Sequence, residues 1–313
     1  MPEKILSINN KIIIILGPTS SGKSAVAISL AKKFQGEIIS ADSRQVYRGL
    51  NIGTGKEPGK WDAKKKAYIS QDIPHYLIDN VSPRTEYNAA KFKNDCDKII
   101  IDILKRGKIP IVCGGTGFWI KALADNVVYP EVAPDWKLRE RLNKKSTETL
   151  FKELQKLDPQ RAKNIDAKNP VRLIRAIEIC KSIGKVPDTR YKIQDTRYKF
   201  IQIGIKISKE KLNERIRLRL QKRFLAGMIE EVEKLHFENK ISWKRLESFG
   251  LGYKFIPQYL RKEIATEKEL FEKIYQGEKD YAKRQMTWFK KDKRIIWLEK
   301  YKDIESEIKD FLK

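Results

Sequence analysis

The sequence predicts an α/β fold, a P-loop NTPase-like parallel sheet flanked by helices and interrupted by an inserted all-helical domain. Five consecutive aliphatic residues, Ile12 to Leu16, run straight into Gly17, the mark of a strand buried on both faces. Strand-length apolar runs then alternate with helical stripes, as a parallel sheet with crossover helices requires. Between residues 125 and 198 the strand signals stop and Leu-rich helical spacing takes over.

Each element has its own warrant. After the first strand, Ala25, Val26, Ile28, Leu30, Ala31 and Phe34 supply the apolar face of a helix, with Gly36 placed to end it. Strands are expected at Glu37–Ala41, at His75–Asp79 and at Ile109–Cys113, the last preceded by a helix whose stripe is Phe92, Cys96, Ile99, Ile100, Ile103 and Leu104. Leu150, Leu154 and Leu157, then Leu173, Ile174 and Ile177, set the helical spacing of the insert. Val186-Pro187 closes it, and Asp188-Thr189-Arg190-Tyr191-Lys192 recurs at Asp195-Thr196-Arg197-Tyr198-Lys199, a basic-aromatic duplication that suits either an RNA contact or a solvated hairpin. Ile201–Ile207 returns to strand character, and long helices with one more strand, Arg294–Leu298, finish the chain. The catalytic core is therefore expected over 1–124 and 199–313, with the insert at 125–198.

Composition narrows the class. The chain has 313 residues, 66 Lys+Arg against 41 Asp+Glu, a formal charge of +25 and 41% hydrophobic residues, which argues against disorder and for a folded, soluble, basic protein. The longest apolar run falls far short of the ~20 residues of a membrane span, and no signal peptide is expected, so the reading is cytoplasmic with no membrane partner. Cys96, Cys113 and Cys180 form no C-x-x-C pair, which argues against both a disulfide framework and zinc. Residues 1–124 carry 20 Lys+Arg against 11 acids, 125–198 carry 17 against 11, and 199–313 carry 29 against 19. The field is spread along the whole chain, as suits a polyanionic partner or simple solubility.

Gly17-Pro18-Thr19-Ser20-Ser21-Gly22-Lys23-Ser24 satisfies G-x-x-x-x-G-K-[ST] between a strand and a helix. Its backbone N–H groups can close on phosphate oxygens, Lys23 adds a point charge, and the Ser24 hydroxyl can ligate Mg²⁺. A phosphorylated ligand, nucleotide or otherwise, is expected. Asp42 follows the next strand in Ser40-Ala41-Asp42-Ser43-Arg44-Gln45; ligands of open α/β sheets bind outside the carboxyl ends of the strands, so Asp42 is either a base beside the phosphate loop or a helix cap. Ile109–Cys113 runs into Gly114-Gly115-Thr116-Gly117 instead of an Asp, which argues against a motor or switch ATPase and leaves a glycine-rich loop that a substrate can approach closely. Arg172 and Arg175 share one helix face, Arg215, Arg217, Arg219 and Arg223 crowd another, and Tyr281 to Lys290 interleaves cations with aromatics.

Taken in order, these segments resemble the tRNA dimethylallyltransferase family, the bacterial tRNA isopentenyltransferases. Gly17–Ser24, Ile39–Gly49, Asn51–Thr54, Pro74-His75, Gly107–Pro110, Gly114–Gly117, Arg172–Glu178 and Tyr281–Phe289 carry the resemblance across nearly the whole chain. It implies that the phosphate loop holds the diphosphate of dimethylallyl diphosphate and that the acceptor is the exocyclic amine of the adenosine 3′ of the anticodon in tRNAs reading U-starting codons. It implies Asp42 as base, Thr19 and Arg219 on the departing pyrophosphate, and Mg²⁺ near Ser24 and Lys23. Contacts to the tRNA anticodon stem-loop would come from Asp42, Ser43, Arg44, Gln45 and Thr116, and from Asn169, Pro170, Val171, Arg172, Leu173 and Arg175 of an insert that clasps it. The enzyme would be a monomer without zinc. The chain departs from the family pattern at Ser20, at Lys168-Asn169-Pro170, at Arg223 where a Met is usual, and at Glu278-Lys279 where Thr-Arg is usual. Spacing back from Gly227 selects Arg219 for the pyrophosphate, with Arg223, one turn further on, as the alternative. A small-molecule kinase, a prenyltransferase of free adenine nucleotides and a non-enzymatic RNA-binding protein are the competing readings; the first two have little use for the insert, and the third has little use for an acid beside a phosphate site.

Overall fold

The computed structural model describes residues 10–187 and 198–313, and the first copy of the Asp-Thr-Arg-Tyr-Lys duplication with most of the second lies outside them. The described residues divide into two compact units, one within Met1–Ala124 and Thr196–Lys313, the other within Asp125–Asp195.

The first unit is built on an eight-stranded sheet. Its strands are β1 (Lys11–Leu16), β2 (Gly36–Ser40), β3 (Lys60–Asp62), β4 (Ala67–Ser70), β5 (Ile73–Tyr76), β6 (Ile109–Gly114), β7 (Lys199–Ile205) and β8 (Ile295–Leu298), in the order β3-β4-β5-β2-β6-β1-β7-β8. All neighbours are parallel except β3–β4 and β4–β5. The helices are α1 (Lys23–Phe34), α2 (Ala89–Lys105) and α3 (Gly117–Ala124) between the strands, and α8 (Lys209–Leu225), α9 (Met228–Phe237), α10 (Trp243–Glu247), α11 (Gly252–Leu260), α12 (Glu267–Phe289) and α13 (Tyr301–Leu312) after β7. Ile12 to Leu16 are fully buried, as their run of aliphatic side chains requires, and Ile13, Ile15, Ile111 and Ile203 pack against Ala27, Leu30 and Ile304 from α1 and α13.

Three expectations shift. Gln35, with φ 51°, makes the left-handed exit of α1 that was expected of Gly36. Gly36 instead opens β2, where a Cβ would press on the Ile109 carbonyl and the Ile111 side chain. The strand expected at His75–Asp79 ends at Tyr76, because Leu77 and Asp79 take positive φ (60° and 52°) that a ladder cannot accept. The β3–β4 hairpin was not foreseen, since three lysines and short length hide it.

The second unit holds α4 (Trp136–Asn143), α5 (Thr147–Leu157), α6 (Pro159–Lys163) and α7 (Pro170–Ile183) around their own core of Leu138, Leu142, Leu150, Leu154, Leu173 and Ile177. Asp135, Ser146, Asp158 and Asn169 each cap a helix by accepting from a backbone N–H. Glu178, buried in this unit, accepts from Asp135 N (2.7 Å) and from Arg139 (2.9 and 2.8 Å), and pairs with Arg175.

Candidate active site

The parallel strands β1, β2 and β6 end together, and each delivers one loop to the same edge of the sheet. The loop after β1 turns through Ser20 (φ 61°) and Gly22 (φ 94°) into α1, whose first turn no side chain caps. Its backbone donors are thus left for an anion. The Ser20 and Ser21 hydroxyls are buried without a protein partner, unusual for buried polar atoms and natural in a loop that binds phosphate oxygens. Lys23 donates to the Pro18 carbonyl (3.1 Å), and burial lowers its ammonium below the ordinary value, with Arg219 acting in the same direction and Cys113, Asp42 and Glu57 against it.

Asp42 follows β2. Its Oδ1 accepts from Arg44 N (2.9 Å) and Gln45 N (3.4 Å), which folds the loop into a turn with no helix behind it. Oδ2 makes no hydrogen bond among the described residues, and the half-buried carboxylate lies close enough to Lys23 and Arg219 to act on their charges. Thr116, from the loop after β6, accepts from Ser43 N (3.0 Å) through Oγ1 and donates its own N–H to Ala41 O (3.2 Å). Gln45 reaches the Thr54 and Gly55 carbonyls (3.4 Å each).

On α8, Arg215, Arg219 and Arg223 recur every four residues on one face, and each meets the site. Arg215 donates to Ser21 O (3.2 Å), Arg219 to Gly55 O (2.6 Å) and Arg223 to Gly53 O (3.0 Å). Arg217 points elsewhere, to Glu272 and Tyr275. Burial lowers the Arg219 guanidinium, with Arg223 next in effect, so an anion here is doubly favoured. Arg223 is buried in an ion pair with Glu278, and Lys279 donates to Gln276 (3.1 Å). The chain's two departures at 223 and 278 therefore neutralise one another, while Arg219 has no carboxylate partner among the described residues. The loop that these arginines hold is fixed from behind by Glu231, which accepts from Asn51, Ile52 and Gly53 N (2.9, 2.7 and 3.0 Å) and from Tyr253 OH (2.6 Å).

Two residues of the site were not singled out in the sequence. Gln285 of α12 accepts from Thr19 N (2.8 Å) and donates to Gly115 O (2.9 Å), tying the loop after β1 to the loop after β6. Its signal was the Gln inside the Tyr281–Lys290 run, hidden among cations and aromatics. Glu57 lines a narrow cleft with Ser24, Ser40, Gln45, His75 and Cys113. Burial pushes the Cys113 thiol up to about 12, and burial followed by Asp42 pushes the Tyr281 hydroxyl up to about 12, so both stay protonated at neutral pH. Ser24 and Glu57 offer hard oxygen donors on one cleft, a set that fits Mg²⁺ completed by water and diphosphate. No group of three or more His, Cys, Asp or Glu able to hold a metal exists among the described residues, and none of their helices is long and apolar enough to cross a membrane.

In the second unit, Asn169 caps α7 by accepting from Arg172 N (3.1 Å), Val171 is exposed, and Arg172 stands 3.9 Å from Asp166. Leu173 is fully buried in that unit's core, which removes its side chain from the expected RNA contacts: it lies on the inner face of α7, opposite Val171 and Arg172.

The loops and arginines together define a P-loop protein whose phosphate loop stands beside the Asp42 carboxylate and a row of arginines. The sequence pattern of the IPP transferase family matches residues 45–292, and that of the isopentenyl transferases matches 10–76. A tRNA dimethylallyltransferase of Acetivibrio thermocellus is 40% identical over 298 residues, covering 93% of this chain and 92% of its own. A tRNA dimethylallyltransferase 2 of Treponema denticola is 41% identical over 288 residues, 91% and 93% of the two chains. The crystal structure of a tRNA isopentenylpyrophosphate transferase from Bacillus halodurans superposes with TM-score 0.69 at 30% identity, covering 97% of each chain. That of a eukaryotic dimethylallyltransferase acting on tRNA superposes at 0.74 with 29% identity, covering 90% of this chain and 70% of that one. This chain belongs to the IPP transferase family.

Proposed function

We propose that the protein transfers a dimethylallyl group from dimethylallyl diphosphate to the exocyclic amine of the adenosine 3′-adjacent to the anticodon in tRNAs reading U-starting codons, releasing pyrophosphate. The observation that carries this reading is the juxtaposition of a phosphate loop with two orphan hydroxyls and an Asp42 whose Oδ2 has no hydrogen-bond partner among the described residues. The amine nitrogen bonds to the allylic carbon, the carbon–oxygen bond to the diphosphate breaks with its electron pair leaving on oxygen, and the amine proton passes to Asp42. Thr19, Lys23 and Arg219 hold the pyrophosphate as its charge grows, stabilisation by groups already in place. Mg²⁺ bound at Ser24 and Glu57 would neutralise part of that charge. The base must leave its stack to reach the loop edge, which costs little in a single-stranded anticodon loop.

Ser43, Arg44, Gln45 and Thr116 lie beside Asp42 and suit the flipped base and its neighbours. Asn169, Arg172 and Arg175 would contact the anticodon stem from the helical unit. On this reading the enzyme acts as a cytoplasmic monomer without zinc. The test is incubation of the purified protein with Mg²⁺, dimethylallyl diphosphate and unmodified tRNA, followed by nucleoside mass spectrometry, beside a reaction with ATP alone. An isopentenyl-adenosine peak that requires the diphosphate is expected. No such peak, with ATP consumed on a small acceptor, would assign the loop to a kinase.

A further inference from the structure

The β3–β4 hairpin carries Lys60, Lys64, Lys65 and Lys66, all exposed, and no ammonium group among them meets a carboxylate among the described residues. Other exposed lysines, Lys98, Lys105, Lys137 and Lys168 among them, likewise meet no carboxylate among the described residues, so what distinguishes the hairpin is its run of three consecutive lysines in one turn. The hairpin's one acid, Asp62, turns Oδ1 inward to accept from Lys64 N (2.9 Å) and Lys65 N (3.0 Å), so it sets the turn's shape. Trp61 is 46% exposed beside them. The hairpin is anchored: Tyr68 OH donates to Glu57 O (2.9 Å), Ser70 Oγ donates to Pro58 O (2.8 Å), and a side chain at Gly59 would collide with the Ile69 carbonyl.

Topology fixes where this cluster faces. β5 is parallel to β2, β4 antiparallel to β5 and β3 antiparallel to β4, so β3 runs with β2 and its turn leaves at the edge that carries the Asp42 loop. Register aligns Trp61, Tyr68, His75 and Ile38 in one row across the four strands. Lys65 stands four residues past Trp61, as Asp42 stands four past Ile38. Three strand spacings, about 14 Å, separate the two chains. That is less than the width of an RNA stem and two or three phosphates along a single strand. Lysines guarding a sheet edge against self-pairing lie along the strand itself, whereas three of these four lie in the turn at the active end.

From this placement we infer that the turn Lys64-Lys65-Lys66, with Trp61, is a phosphate-backbone contact for the RNA substrate, lying beside the loop whose base is modified. The inference rests on the reading that the substrate is RNA. It is tested by direct binding, which does not depend on turnover. Lys64→Gln/Lys65→Gln/Lys66→Gln is compared with wild type and with Lys32→Gln/Lys105→Gln/Lys309→Gln, which removes the same charge from the last turns of three helices. The Kd for an unmodified anticodon stem-loop RNA is measured across salt concentrations. Loss of three phosphate contacts should weaken binding roughly ten- to fiftyfold near physiological salt and flatten the log–log salt slope by about 2 to 3. The control variant should change neither by more than about a third of that. Equal effects of the two variants would mean a diffuse field, and no effect of either would leave the lysines as edge guards; both outcomes overturn the inference. Transfer by the wild type, assayed in parallel, judges the prenyltransferase reading separately. RNA that binds through the turn without being prenylated would overturn that reading alone.

Discussion

Asp42 divides its work between its two oxygens. Oδ1 holds the turn through Arg44 N and Gln45 N, and Oδ2 makes no hydrogen bond among the described residues. Asp42→Asn keeps an acceptor for the turn and loses the base, so kcat should fall roughly 10²–10⁴-fold. Pyrophosphate affinity should hold, since the phosphate loop is untouched; near-wild-type kcat would remove Asp42 from the base role. Gln285 makes a stricter demand, because only a side chain with both an acceptor and a donor can serve Thr19 N and Gly115 O together. Gln285→Glu keeps the acceptor, sets a carboxylate against the Gly115 carbonyl and places negative charge beside the diphosphate loop. It should raise KM for dimethylallyl diphosphate as well as lower kcat, whereas Gln285→Met, isosteric and uncharged, should lower kcat with a smaller change in KM. Identical effects on both constants in the two variants would mean that Gln285 only packs. The sequence showed Gly17–Ser24 and Asp42 clearly, because their chemistry is local to a strand end. It hid Gln285, Glu57 and Glu231, whose roles exist only once distant elements meet.

At the level of elements, α8 and α12 are joined by the buried pair Arg223–Glu278. Removing one partner strands a charge, so Glu278→Gln should destabilise the fold by about 3 kcal/mol in denaturant titration, while Arg223→Met/Glu278→Leu should recover most of that loss. If the double change is as damaging as the single one, the pair is holding geometry that packing cannot replace. In the helical unit, burial alone would raise Glu178, but Arg139, Arg175 and Asp135 N outweigh it and hold its carboxyl below the ordinary 4.5. A depressed folded-state pKa contributes stability above the unfolded value that is lost as pH falls through the folded one. Stability of this unit should therefore decline as pH drops below about 4.5, and Glu178→Gln should remove that part of the decline in acid titrations followed by circular dichroism. The elements themselves were legible where one rule dominated: the aliphatic run of β1, or the apolar stripe of α2. They were not where local rules competed. Gln35 took the left-handed exit because Gly36 was needed where a Cβ would not fit, and β3–β4 formed from a lysine-rich segment because Tyr68 and Ser70 could be anchored to residues 57–58.

For the molecule as a whole, every group assigned to the diphosphate and to the base lies in the unit within Met1–Ala124 and Thr196–Lys313, whose apolar cores are its own. The helical unit has a separate core and separate caps. Such a division allows chemistry and part of RNA recognition to be separated physically. Replacing the insert with a flexible Gly/Ser linker should leave a chain that melts cooperatively and binds pyrophosphate with unchanged affinity. It should also lose at least about 100-fold in kcat/KM for tRNA, the equivalent of about 3 kcal/mol of transition-state stabilisation. Retained transfer would confine RNA recognition to the sheet edge and the β3–β4 turn. Should the shortened chain fail to melt cooperatively, Arg172→Ala/Arg175→Ala in the intact protein poses the same question: Arg172 is exposed and Arg175 pairs with Glu178. A rise in KM for tRNA with pyrophosphate affinity unchanged is then the expected result, and an unchanged KM would exclude that face of α7 from the RNA contact.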